Sequence, residues 1–127
     1  MNAPATPPRP LVLVVDDEVE IRSALQLGLQ DEFQVDCANS AAEAESMLAL
    51  AGYDAILCDH LMPGEDGLPF LIRMHGKYPH VHRIMMTSYI NPEILSRSIP
   101  LAGLAACLTK PISLAELKRI LHQVVGR

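Results

Sequence analysis

From Leu11 onward the chain alternates short apolar runs with longer mixed ones five times over, and this alternation restricts the fold more than any other feature. The apolar runs predict strands near 11 to 15, 33 to 37, 54 to 58, 83 to 87 and 105 to 109. Helices are predicted between and after them, near 18 to 30, 40 to 51, 67 to 76, 92 to 99 and 113 to 125. Parallel strands need a helix-length return, and that crossover is right-handed, so five βα units imply one parallel sheet covered by helices on both faces. The expected fold class is doubly wound α/β. LVLVV and AILC are continuously apolar instead of alternating, as suits central strands buried on both sides.

The helix starts carry local signals. Ser40 with Glu43 and Ser113 with Glu116 fit the capping box, in which a hydroxyl and a carboxylate each satisfy an orphan amide of the first turn. Asn91-Pro92 puts a capping side chain before a proline at the first helical position, and Asp66 is the expected cap of the third helix. Pro100 lies inside the fourth helix. An interior proline costs about 3 kcal/mol, so this helix is expected to be short or displaced. In the last helix Leu114, Leu117, Leu121 and Val124 recur at helical spacing, the pattern of a buried stripe.

The 127 residues suffice for one domain with a hydrophobic core and are too few for two of ordinary size. Residues 1 to 10 hold four of the ten prolines and are read as a disordered leader, which leaves 11 to 127 as the domain. No apolar run approaches the roughly 20 residues of a membrane span, and MNAPATPPRP lacks the pattern of a secretion signal. A soluble, cytoplasmic protein is expected. Cys37, Cys58 and Cys107 are odd in number and lie in apolar runs, which suits reduced core thiols better than disulfides or a zinc site. The net charge of −5 argues against direct nucleic-acid binding, which needs clustered Lys and Arg. His75, His80 and His82 surround a turn without acidic or thiol ligands at helical spacing, and His60 reads as a loop residue.

Four of the apolar runs end in residues that carry chemistry: LVLVV in Asp16 and Asp17, AILC in Asp59, RIMM in Thr87, and ACLT in Lys110. Each has an ordinary explanation. The Asp pair could cap the first helix, Asp59 could serve a turn, Thr87 could end a strand, and Lys110 could be a solvated charge. In an open α/β sheet, however, residues beyond the carboxyl ends of the strands converge on one crevice. Three carboxylates gathered there repel one another unless a cation neutralises them, so the joint pattern points to a site.

LVLVVDDE, YDAILCDHLMPGEDG, MTS and CLTKP, in this order and at this spacing, resemble the receiver domains of bacterial two-component response regulators over residues 11 to 125. The resemblance implies a flavodoxin-like five-stranded sheet of order 2-1-3-4-5 with five helices. It implies that Asp59 is the phosphoacceptor, and that Asp16, Asp17, Asp59 and the backbone carbonyl of Leu61 serve a Mg2+ ion, with Asp16 acting through water. Lys110 and Thr87 would bind phosphoryl oxygens and act as the switch, Lys110-Pro111 would be a cis peptide, and Gly67 would relieve crowding after Asp59. Such a chain is a phosphoacceptor regulatory domain and not an enzyme, with at most magnesium-dependent self-phosphorylation and self-dephosphorylation. Its implied partners are a sensor histidine kinase or phosphotransfer protein and a downstream protein or output domain, with a homodimer as one further assembly.

The sequence departs from the family at Cys107, where receivers commonly carry Tyr or Phe. Tyr89, two residues past Thr87, is read as a gate over the site, and Leu61 and Tyr89 together as apolar shields against water. A receiver-like scaffold that binds partners without phosphorylation is the alternative function, disfavoured by the full set of Asp16, Asp17, Asp59, Thr87 and Lys110. An aspartyl phosphatase would want an acid two residues beyond the nucleophile, where Leu61 stands, and a dinucleotide enzyme would want a glycine-rich loop where Asp-Asp-Glu follows the first strand.

Overall fold

The computed structural model describes residues 8–88 and 91–126. Five parallel strands, β1 (Leu11–Val15), β2 (Gln34–Ala38), β3 (Ala55–Asp59), β4 (His82–Thr87) and β5 (Leu104–Thr109), form one sheet of order β2-β1-β3-β4-β5. Helices α1 (Val19–Leu29), α2 (Ala41–Leu48), α3 (Gly67–Lys77), α4 (Pro92–Ala102) and α5 (Leu114–Val125) follow the strands in turn. Doubly wound α/β is therefore the observed class. The order reverses between β1 and β3, which opens the crevice beside Val15 and Asp59.

Alternate residues of the central strands feed two separate cores. Leu13, Val15, Ile56, Cys58 and Met85 pack with Ala44 and Leu48 of α2, with Phe70, Leu71 and Met74 of α3, and with Ala102 of α4. Val12, Val14, Leu57, Ile84 and Met86 pack with Leu25 and Leu29 of α1 and with Leu117 and Leu121 of α5. Both faces of β1 and β3 are thus covered, which is why these runs show no polar alternation. All three cysteines are free thiols on strands. Among the described residues no helix is long and apolar enough to cross a membrane.

The cap expectations divide. Ser40 Oγ accepts from Glu43 N at 3.1 Å while Glu43 accepts from Asn39 N at 2.8 Å, and Ser113 Oγ accepts from Glu116 N at 3.3 Å. Asn91 Oδ1 accepts from Glu93 N at 3.1 Å ahead of Pro92. Asp66 precedes α3 without capping it. Its Oδ1 accepts from Met62 N at 3.3 Å, so the carboxylate closes the preceding loop instead. In α5 only Leu117 and Leu121 of the expected stripe are fully buried, while Leu114 is partly exposed against Gly28 of α1.

Two further expectations give way. Arg9 and Pro10, assigned to the leader, are tied to β2: the Arg9 carbonyl accepts from the Gln34 side chain at 2.9 Å and the Pro10 carbonyl from Gln34 N at 2.9 Å. The fourth helix is neither short nor broken at Pro100, since α4 runs through it to Ala102. Pro100 stands in the last turn, where Gly103, in the left-handed region at φ +57°, donates to the Pro100 carbonyl and ends the helix. Arg83 reinforces that end. Although almost fully buried, it donates to the carbonyls of Ala102 (2.8 Å), Gly103 (3.2 Å) and Val81 (2.6 Å), which places its cation at the negative end of α4. Burial lowers its pKa below the usual arginine value. A register shift follows Arg83, where β5 carries one residue more than β4.

Candidate functional site

Asp16, Asp17 and Asp59 converge at the crevice, each offering a carboxylate oxygen within 4.8 Å of the other two. Lys110, from the end of β5, reaches Asp59 Oδ1 at 3.1 Å and Asp16 Oδ2 at 3.2 Å. Thr87 is buried at the end of β4, and its carbonyl accepts from Lys110 N at 2.8 Å, so hydroxyl and ammonium are carried on adjacent tied strands. The cleft, of about 330 Å³, is lined by Asp59, Leu61, Thr87 and Lys110 among others. Leu61 stands at its rim with 56% of its surface exposed. The Lys110-Pro111 peptide is cis. Tyr89, the expected gate, lies outside the described residues.

The electrostatics are those of an anionic pocket in which, among the described residues, Lys110 is the cation that reaches the carboxylates. Burial raises the Asp59 pKa above the ordinary carboxylate range; the Lys110 hydrogen bond opposes this, and the charges of Asp16 and Asp17 add to it. Burial opposes the charged form of Lys110, but Asp59 and Asp16 more than offset that and its pKa rises. In a simple ion pair the acid would shift down. Here both partners shift upward, because Asp59 answers to burial and two neighbouring acids as well as to one lysine.

The surrounding backbone is fixed. His60 N donates to the Met86 carbonyl at 2.8 Å, and Gly67 N to the His60 carbonyl at 2.8 Å. A Cβ on Gly67 would sit 2.0 Å from the Asp59 carbonyl oxygen, so only glycine allows the loop to fold back so tightly behind Asp59. His60 itself contacts the sulfur of Met85 at 3.4 Å. Every polar atom of the fully buried Asp16 is engaged: its N donates to Ala38 O (3.2 Å), Oδ1 accepts from Glu18 N (2.9 Å), Oδ2 from Lys110, and its carbonyl from Arg22 Nη1 (2.7 Å). Sequence reasoning missed Arg22. Its position on α1, six residues beyond Asp16, gives no periodic signal because the contact runs from a helix back to the turn before it.

A doubly wound sheet with three carboxylates, a hydroxyl and an ammonium at the carboxyl ends of its strands defines a class of phosphoryl-accepting signalling domains. The sequence agrees: residues 12–122 match the model of the response regulator receiver domain, and the chain belongs to that family. It is 35% identical over 114 residues to the hydrogenase transcriptional regulatory protein HoxA of Bradyrhizobium diazoefficiens, covering 90% of this chain and 24% of that protein. The chain thus spans about a quarter of the length of this relative. Among solved structures it superimposes on the chemotaxis protein CheY4 of Vibrio cholerae with TM-score 0.83 and 30% identity, over 91% of this chain and 98% of that one. TrrA of Thermotoga maritima, solved in complex with Mg2+ and BeF, gives TM-score 0.80 and 29% identity over 91% and 98% of the two chains. The chain is a receiver with a phosphoacceptor signalling role.

Proposed function

We propose that Asp59 accepts the phosphoryl group, that Asp16, Asp17 and Asp59 with the Leu61 carbonyl hold Mg2+, and that Thr87 and Lys110 read the result. The observation that carries this reading is the clustering of three carboxylates within 4.8 Å against a single lysine. The donor set is oxygen only, which suits a hard cation, and TrrA, a relative of the same fold, binds Mg2+ beside BeF. Bound magnesium would supply charge neutralisation and orientation of phosphoryl oxygens.

In the transfer, one Asp59 carboxylate oxygen attacks the phosphorus of a phosphohistidine on the kinase or phosphotransfer partner. The new O–P bond makes an acyl phosphate, the N–P bond breaks, and the imidazole leaves with its electron pair and takes a proton. Lys110, already within 3.1 Å of Asp59, neutralises a phosphoryl oxygen. The Thr87 hydroxyl, on the neighbouring strand end, donates to another, and the segment after it is drawn inward. That displacement is the signal passed to a downstream protein or output domain, in the cytoplasm. Cys107, half-buried on β5, is too small to act as a rotating aromatic reporter, so the relay runs through the segment that follows Thr87.

Wild type and Asp59→Ala, incubated with acetyl phosphate and Mg2+ and weighed intact, test the proposal. Gain of one phosphoryl group by wild type alone is the expected result. Uptake by neither would favour a scaffold that binds partners without phosphorylation, and uptake by both would move the acceptor elsewhere.

A further inference from the structure

We infer that Arg22 is a positioning residue for the metal site, acting on Asp17 through the backbone of Asp16. The inference rests on the proposed Mg2+ site and deepens it. Asp17 is exposed, and its carboxylate has no hydrogen-bond partner among the described residues. The point from which it departs is therefore set by the main chain. The peptide joining Asp16 to Asp17 is planar, so the orientation of the Asp16 carbonyl also fixes the amide and the Cα of Asp17, from which its side chain departs. Arg22 Nη1 grips that carbonyl at 2.7 Å, closer than Ala38 O holds Asp16 N at 3.2 Å. Arg22 is anchored in turn. Its N donates to the Glu18 carbonyl at 3.1 Å within α1, and its carbonyl accepts from Cys37 Sγ of β2 at 3.8 Å. A guanidinium carried on this anchored stretch of α1 thus presets the acidic turn, and a turn already in place loses less freedom when its carboxylate takes up a cation.

Charge and position make opposite demands, which gives the test its edge. Arg22 is a cation near a cluster of carboxylates, so by Coulomb's law alone its removal should tighten Mg2+ binding. If it positions Asp17, its removal should weaken binding. Mg2+ affinity is measured by titration calorimetry on wild type, Arg22→Met, Arg22→Lys and Asp17→Asn, with folding checked by circular dichroism. Expected are weakening by about three- to ten-fold in Arg22→Met, the share of one charge-assisted hydrogen bond, and partial recovery in Arg22→Lys. The Mg2+ concentration giving half-maximal phosphorylation by acetyl phosphate should rise in Arg22→Met while the plateau rate stays at the wild-type value. Unchanged or tighter Mg2+ binding by Arg22→Met overturns the inference, as does a lowered plateau without a shift in half-saturation. Binding by wild type that Asp17→Asn abolishes shows the metal site itself to stand, whereas no binding by wild type would overturn the site and this inference together.

Discussion

Replacing Asp59 by Asn should stabilise the metal-free protein, because its carboxylate lies beside those of Asp16 and Asp17 and, among the described residues, is ion-paired with Lys110 alone. At an effective dielectric of about 20, carboxylates within 4.8 Å of one another repel by at least about 3.5 kcal/mol, and Lys110 at 3.1 Å attracts by about 5 kcal/mol. Discounting the exposed Asp17 for screening, repulsion from both acids roughly equals the attraction. What remains is the cost of burying the Asp59 charge, from which we expect a gain of about 1 to 2 kcal/mol in Asp59→Asn. For a chain of this length that corresponds to roughly 4 to 8 °C in Tm. The raised Asp59 pKa gives the pH dependence. The native state holds its proton longer than the unfolded chain, so wild type loses stability as pH rises from about 4 through the raised native value and does not regain it above. The advantage of Asn should therefore be present at pH 7 and shrink as pH falls toward 4. Excess Mg2+ should narrow the gap, since wild type gains more from binding than a variant with one carboxylate fewer. Denaturant melts by far-UV circular dichroism in EDTA and in Mg2+ provide the measurement; an Asn variant no more stable than wild type in EDTA at pH 7 would refute the reasoning.

Arg83→Met should destabilise the fold by about 3 kcal/mol, because it strips the donor from the carbonyls of Val81, Ala102 and Gly103; equilibrium denaturation reads this directly. Gly67→Ala should cost about 2 to 4 kcal/mol and slow phosphoryl uptake from acetyl phosphate, since its Cβ would meet unyielding Asp59 backbone at 2.0 Å. Leu61→Asn should shorten the phosphorylated lifetime by about three- to ten-fold, a barrier change within ~1.4 kcal/mol, because an apolar shield at the rim gives way to a group that can hold water; decay of the intact-mass adduct measures it.

The strands at the middle of the sheet were legible because burial on both faces leaves no room for polar alternation, as in LVLVV and AILC. The site was legible for a related reason. Asp16, Asp59, Thr87 and Lys110 each follow directly on an apolar run, and the topology alone then brings the strand ends together. Arg83 was not legible. A charged residue after His82 at the start of a strand looks like a solvated end, and only the packing of α4 against the α3–β4 turn shows it buried among carbonyls. Asp66 misled because an acid before a helix fits both a cap and a loop closure, and which amide it meets depends on where Met62 lies. Pro100 misled because the cost of an interior proline falls where the ladder is about to end anyway, and Gly103 was the cue to that end.

The handling of α4 bears on how a signal could leave the site. Its C-terminal end is fixed by Arg83 to the carbonyls of Ala102 and Gly103, and Gly103 packs so closely on His75 of α3 that a Cβ would come within 2.7 Å of the ring. Its N-terminal end lies on the Thr87 side of the sheet, where Asn91 Oδ1 accepts from Glu93 N at 3.1 Å. A pull on Thr87 therefore acts at the end of the helix opposite the one that Arg83 holds, and the motion should be a pivot about Ala102 instead of a translation. Amide hydrogen exchange distinguishes the two: on phosphorylation, protection should change at the first turn of α4 and stay constant at Ala102 and Gly103. Equal changes at both ends would mean that the buried guanidinium does not anchor the helix, and Arg83→Met, by freeing the pinned end, should spread the change along its whole length.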